Sequence, residues 1–194
     1  MSYFREWLLP RSADALARGR AGLVIATCLG LAIAMLALLL VWLISGDLQV
    51  ETVAGTLIFI LVLAGIAALA RGGRARLAAW ALIILLVLLI TVDAASFGLG
   101  SPAAAAYFVP VVLAACSVGL VAGIGVALFG SAATWVIAWG TLSGWYQPFL
   151  PAEPSHLTFN APLYTVLLLL VALIVGSWSR YLSDVVRRGA DDRK

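Results

Sequence analysis

The sequence predicts an all-α integral membrane protein, a bundle of six transmembrane helices with N- and C-termini in the cytoplasm. Three observations predict it. Of 194 residues, 64% are hydrophobic and 11% are charged, against about 45–50% and about 25% in a soluble domain. The mean hydropathy is +1.11. A soluble globule of this size has too little interior for so much apolar side chain, and a disordered chain has the opposite composition. The apolar residues also come in runs near the roughly 20 that one helical crossing needs, too long for barrel strands. Finally, threading those runs through a bilayer puts every basic residue on one side of it.

Residues 1–20 are expected to form a cytoplasmic, interfacial segment. Tyr3, Phe4, Trp7, Leu8 and Leu9 flank Arg5 and Glu6, a composition for a short helix lying among headgroups and ended by Pro10. Ser12 caps the stretch that leads inward. The first span, residues 21–45, is an unbroken apolar run of 25 residues. It exceeds the roughly 7–15 residues of a signal-peptide core and has no small-x-small pattern behind it, so it is read as retained. The second span, 53–70, opens after Glu51 and Thr52 and closes at Arg71. The third, 77–96, carries the aliphatic stretch Ile83–Ile90 at its centre.

From Pro102 to Gly140 the chain stays apolar for 39 residues, almost twice one crossing. The division falls at the glycine cluster Gly119, Gly123 and Gly125, giving spans 102–118 and 120–140. Ser101 as N-cap and Pro102 as first helical residue make a favourable start. Pro110 is expected to kink the fourth span. Residues 141–160, with Trp145, Tyr146, Pro148, Pro151, Pro154 and Asn160, are read as a structured interfacial loop. The sixth span, 161–182, is expected to continue into water as helix to residue 188, because Gly189 is the first breaker. The membrane domain is then 21–188 and the cytoplasmic tail 189–194. No internal repeat of 20–50 residues is evident.

With six spans and an inner N-terminus, all 12 basic residues lie in the cytoplasm: Arg5, Arg11, Arg18, Arg20, Arg71, Arg74, Arg76, Arg180, Arg187, Arg188, Arg193 and Lys194. The outer loops hold Asp47, Glu51, Asp93 and Glu153 and no basic residue. An odd number of spans would strand a basic group outside. No dense basic run exists, so nucleic acid is not an expected partner. Cys28 and Cys116 lie in apolar segments, with neither metal spacing nor a disulfide framework.

Candidate functional residues are few. Asp93 follows Arg76 by 17 residues, about 25 Å of helix, so it sits at the outer boundary as a ligand or gating group or as a hydrated interfacial acid. His156, three residues after Glu153, is a candidate to sense external pH, to help hold a metal or to act with Glu153 as a ligand or gating group, or is a solvent-facing loop histidine; one His and one Glu do not make a metal site. Trp135 and Trp139 are candidates for stacking an apolar ligand. With Trp145 and Tyr146 outside, and Trp178 and Tyr181 inside, they also fit an aromatic belt. Small residues recur every fourth position at Gly22, Ala26, Gly30, Ala34 and again at Gly119, Gly123, Ala127, Ser131, candidates for close helix packing. On the last helix, Arg180, Tyr181, Leu182, Val185 and Val186 are candidates for carrying a signal out of the membrane.

Enzyme signatures are missing: no H-E-x-x-H, no G-x-S-x-G and no phosphate-binding glycine loop with its lysine. No span contains lysine, which excludes retinal on a Schiff base. The mid-membrane charges typical of transporters are also missing. The sequence thus predicts a non-catalytic chain with no cofactor and no metal. Its partners would be the bilayer and another protein chain, in a homodimer or a larger membrane complex.

The stretch Arg71-Gly72-Gly73-Arg74-Ala75-Arg76-Leu77-Ala78-Ala79-Trp80, followed by an apolar helix and Phe97-Gly98-Leu99-Gly100-Ser101-Pro102-Ala103, resembles the N-terminal six-helix membrane sensor region of bacterial histidine kinases, the kind that precedes PAS, GAF or kinase domains. The resemblance continues through Tyr107-Phe108-Val109-Pro110-Val111-Val112-Leu113-Ala114-Ala115 and Gly119 to Ser179-Arg180-Tyr181-Leu182, and covers Arg71 to Arg188. Members often carry arginine after the fourth span, where this chain has Leu120 and Val121. The phosphoacceptor helix and ATP-binding domain are not in the sequence, and His156 lies outside on this topology. The resemblance therefore implies a sensor module, excised or stand-alone, that hands its signal to a partner in the inner membrane or cytoplasm. Two other classes remain open. The segment Tyr107–Gly130 is similar in style to substrate-capturing subunits of vitamin transporters, against which the sparse intramembrane polar groups argue. An accessory subunit of a respiratory or photosynthetic complex is the third.

Overall fold

The computed structural model describes residues 15–46, 49–99, 102–149 and 154–191, with residues 15–17, 103, 154–156 and 186–191 described for the backbone alone. The expected interfacial helix at Tyr3–Leu9, its end at Pro10 and the cap at Ser12 lie outside the described residues, as do Ser101 and Glu153. Among the described residues seven helices follow in order: α1 (Ala15–Ser45), α2 (Val50–Arg71), α3 (Ala75–Phe97), α4 (Ala103–Ala106), α5 (Phe108–Ser117), α6 (Leu120–Ser143) and α7 (Pro154–Asp191). There is no strand among the described residues. Among the described residues five segments are long and apolar enough to cross a membrane: Arg18–Ser45, Val50–Arg71, Ala75–Phe97, Leu120–Ser143 and Leu157–Val185. Ala104–Ser117 is a shorter apolar helix. Helix is the form in which such segments satisfy their own backbone without water.

Three expectations are corrected. The fourth span is not one kinked helix but two pieces, α4 and α5, separated at Tyr107. The reason is Pro110: it has no N–H for the carbonyl four residues back, and its ring crowds that carbonyl. Residue 106 is where α4 ends. Tyr107 N–H bonds three residues back, to Ala104 O at 3.4 Å, and the α-helical ladder resumes with Val111 N–H on Tyr107 O at 3.3 Å. The loop expected over 141–160 is much shorter, because α6 runs to Ser143 and α7 starts at Pro154. Pro154 fits the first helical position, so Pro162 falls inside the helix. At the far end α7 passes Gly189 and reaches Asp191; glycine weakens a helix by about 1 kcal/mol but does not forbid it.

The chain divides into two compact units between residues 82 and 83. In the first, α1 packs against α2. Ala21, Val24, Ile25 and Cys28 of α1 are buried, as are Thr56, Leu63, Ile66 and Ala70 of α2 and Ala75, Ala78, Ala79 and Leu82 of α3. The turn from α2 to α3 needs glycine, since Gly73 adopts φ +87°. Gly72 N–H caps Ala68 O at 2.9 Å.

In the second unit α5, α6 and α7 each pack against the other two. Gly119, at φ +135°, turns α5 into α6 within two residues, and its N–H bonds Ala114 O at 3.0 Å. A core of Ala94, Leu99, Ala104, Ile137, Ala138, Leu157 and Ala161 is flanked by Tyr146 and Tyr164. The short loop after α6 folds back onto this unit: Tyr146 N–H reaches Gly140 O at 3.3 Å and Phe149 N–H reaches Ser96 O at 2.9 Å.

Candidate functional site

The helices are apolar all round, so the chemistry rests on a few hydroxyl, indole and charged groups. Most hydroxyls bond inside their own helix. Thr27 donates to Leu23 O, Ser131 to Ala127 O and Thr141 to Ile137 O, at 2.8–2.9 Å. Where water is absent, this back-bonding avoids the penalty of an unpaired donor. Among the described residues no buried side-chain nitrogen or oxygen lacks a partner.

In the second unit, side-chain bonds at Thr91–Tyr107 and Trp135–Thr165 link separate parts of the chain. Thr91 Oγ1 donates to Val87 O at 2.6 Å and lies 2.6 Å from the Tyr107 hydroxyl. Thr91 has one proton and spends it on Val87, so Tyr107 is the donor of the second bond. Tyr107 is fully buried and is the largest such side chain. It occupies the break that Pro110 makes between α4 and α5, with its ring against the backbone of Gly130. In the second bond, Trp135 Nε1–H donates to Thr165 Oγ1 at 3.1 Å. Thr165 passes its own proton to Ala161 O at 2.9 Å. The first pair fastens α3 to the break between α4 and α5 and the second fastens α6 to α7, with an acceptor for every proton.

The residues singled out in the sequence do not converge. Asp93 is exposed and has no ion-pair partner among the described residues, while its neighbour Ala94 is in the core. Trp135 is tied to α7 through Thr165, and Trp139, one turn on, is 69% exposed. Glu153 lies outside the described residues, as does the His156 side chain, although residue 156 is in α7. Gly123, Ala127 and Ser131 are buried, with Gly123 against Ala115. The stripe on α1 behaves differently: Gly22 is half-buried and Ala26, Gly30 and Ala34 are exposed. The buried face of α1 is set instead by Ala21, Val24, Ile25 and Cys28.

At the other end of α7, Arg180, Tyr181, Leu182 and Val185 are all exposed, and the Val186 side chain lies outside the described residues. Trp178, Tyr181, Leu182 and Val185 follow helical spacing, which lines them along one face. The groups missed from sequence are Thr91, Tyr107 and Thr165. A signal for Tyr107 exists: it lies three residues before a proline within an apolar helix, where a break is due. Among the described residues no three His, Cys, Asp or Glu side chains gather as a metal site.

These features define a class: among the described residues, an all-helical protein with five membrane-length apolar helices and a shorter broken one. No family model, curated protein or solved structure matches the chain.

Proposed function

We propose that the chain is a non-catalytic membrane sensor or interaction module of the bacterial cytoplasmic membrane, multi-pass, with six crossings and both termini inside. In this reading the divided helix α4–α5 counts as the fourth crossing. A stimulus at the outer face or within the bilayer shifts α7, whose inner end passes the movement to another protein chain. The observation that carries the reading is the length of α7. Its 38 residues make a rod of about 57 Å, against a hydrocarbon core of about 30 Å. A continuous helix transmits piston or rotational displacement, which a flexible joint absorbs. The exposed face of Trp178, Tyr181, Leu182 and Val185 is what a partner helix would grip.

Inserting two glycines after Ser183 tests this. The partner that co-purifies in mild detergent is expected to lose its response to the module while yield and membrane insertion stay unchanged. An unaltered response makes the basic end of α7 a topology anchor only. A kinase-like partner supports sensing, whereas ATPase subunits or redox proteins point to the transport or accessory classes.

The topology has its own test. Cysteines placed at Gly46 and Ser155 should react with an impermeant reagent added outside intact cells, and one at Gly73 should not. Labelling at Gly73 overturns the orientation. The purified chain should neither hydrolyse ATP nor phosphorylate itself; turnover that follows the protein through every purification step means that a site was missed.

A further inference from the structure

A long slot runs between α1 and α2, within the first unit. It is lined by Ile25, Cys28, Leu29 and Ala32 on one side and by the α2 face from Ile60 to Arg71 on the other, and its volume is about 330 Å³. Its origin is legible in the residue types. The α2 face contributes Ala64, Ala67 and Ala68 and α1 contributes Ala32, and such small side chains leave a gap between the two helices. Ile25, Cys28 and Leu63 form a buried floor, while Leu29, Ala64 and Ala68 are exposed walls. The slot is thus open sideways. From Ile60 to Arg71 it extends about 16 Å along α2, long for its volume. Such a shape suits an extended hydrocarbon chain and not a compact ring system.

The volume lies at the lower end of small-molecule sites, about 300–1,000 Å³, and is about twice a 150 Å³ apolar cavity that admits benzene. Every lining residue is apolar except Cys28 and, at one end, Arg71. The guanidinium carries five N–H donors in a fork that matches a phosphate. Apolar length, a sideways opening and one terminal cation are complementary to a single ligand chemistry, an anionic amphiphile entering from the bilayer. We propose that this slot is a binding site for an anionic phospholipid, one acyl chain lying between α1 and α2 and the phosphate on Arg71. It is independent of the sensor reading, which rests on α7.

The test uses the full chain in nanodiscs doped with photoactivatable probes of identical acyl chains: phosphatidylglycerol, phosphatidylcholine, or the free fatty acid. Crosslinks are mapped by mass spectrometry. Phosphatidylglycerol is expected to label residues 25–32 and 60–71 about fivefold more than phosphatidylcholine, the preference that one basic group gives an anionic lipid. Arg71→Gln should erase the preference yet leave labelling of the slot. Ala67→Leu and Ala64→Phe should each reduce labelling by either phospholipid several-fold, and Leu61→Phe, on the exposed side of α2, should not. Two space-filling variants guard against the misfolding of either one, which gel filtration reveals. Equal labelling by the two phospholipids overturns the proposal. So does labelling that ignores both space-filling variants, and so does capture of the free fatty acid alone.

Discussion

Replacing Gly176 by leucine is expected to force α6 away from α7 and destabilise the second unit by about 3 kcal/mol, the upper end of overpacking costs. A Cβ built on Gly176 collides with Cδ1 of Leu120 and lies 3.0 Å from Leu120 Cα and 3.1 Å from its Cβ. The Cδ1 atom can rotate away, but the Cα cannot unless the first turn of α6 moves. In Gly176→Ala the added methyl is partly offset by the roughly 1 kcal/mol by which alanine favours helix over glycine. In Gly176→Leu nothing offsets the remaining three carbons. Gly123 meets the same obstacle at the facing helix, where a Cβ would stand 2.8 Å from Ala115 Cβ and 3.1 Å from its Cα. Gly125, two residues away, has nothing within 4 Å, and Gly125→Leu should stay within about 0.5 kcal/mol of wild type. Unfolding in mixed micelles separates the cases. Equal losses for Gly176→Leu and Gly125→Leu would mean that the close approach of α6 and α7 is not a determinant of stability.

That contrast shows what the sequence can and cannot display. The long apolar helices are legible because length and composition alone define a crossing. The turn at Gly119 is legible because only glycine holds φ +135° without strain. Which face packs inward is far less legible. In a soluble helix polar residues mark the outer face, but in a lipid-facing helix both faces are apolar and the mark is lost. Small residues every fourth position therefore looked alike on two helices, yet Gly123, Ala127 and Ser131 are buried while Ala26, Gly30 and Ala34 are exposed. The expected fourth span departs from the structure for another reason. Pro110 by itself suggests a local kink, but the carbonyl it leaves without a donor is four residues upstream, so the break appears at Tyr107. The Tyr107–Thr91 bond spans 16 residues, and no local pattern links them. The helix through Ser183 was legible, since no glycine or proline interrupts residues 180–188, and α7 continues past Val185.

Tyr107→Ala should be among the most damaging single substitutions, and comparison with Tyr107→Phe shows why. The side chain is fully buried, and truncating a large aromatic in such a site costs about 3–5 kcal/mol. In lipid the loss is chiefly of packing contacts, because neighbouring acyl chains are as apolar as the core. Tyr107→Phe keeps the ring and removes only the hydroxyl donated to Thr91. Thr91 retains its bond to Val87 O, so no donor is stranded, and the expected loss is about 0.6 kcal/mol, the average for such a bond within a membrane. If Tyr107→Phe proves as costly as Tyr107→Ala, the hydroxyl rather than the ring holds the break together. The ring's role can be isolated through its neighbour. A Cβ on Gly130 would lie 3.0 Å from Tyr107 Cδ1 and 3.2 Å from Cγ, so Gly130→Ala should destabilise the wild type by about 1 kcal/mol. In the Tyr107→Ala background the same methyl enters vacated space and gains the helix preference of alanine, so its effect should reverse sign. Non-additivity of this kind is expected of residues in direct contact. An unchanged cost for Gly130→Ala in both backgrounds would show that the tyrosine ring does not fill the gap between α4, α5 and α6.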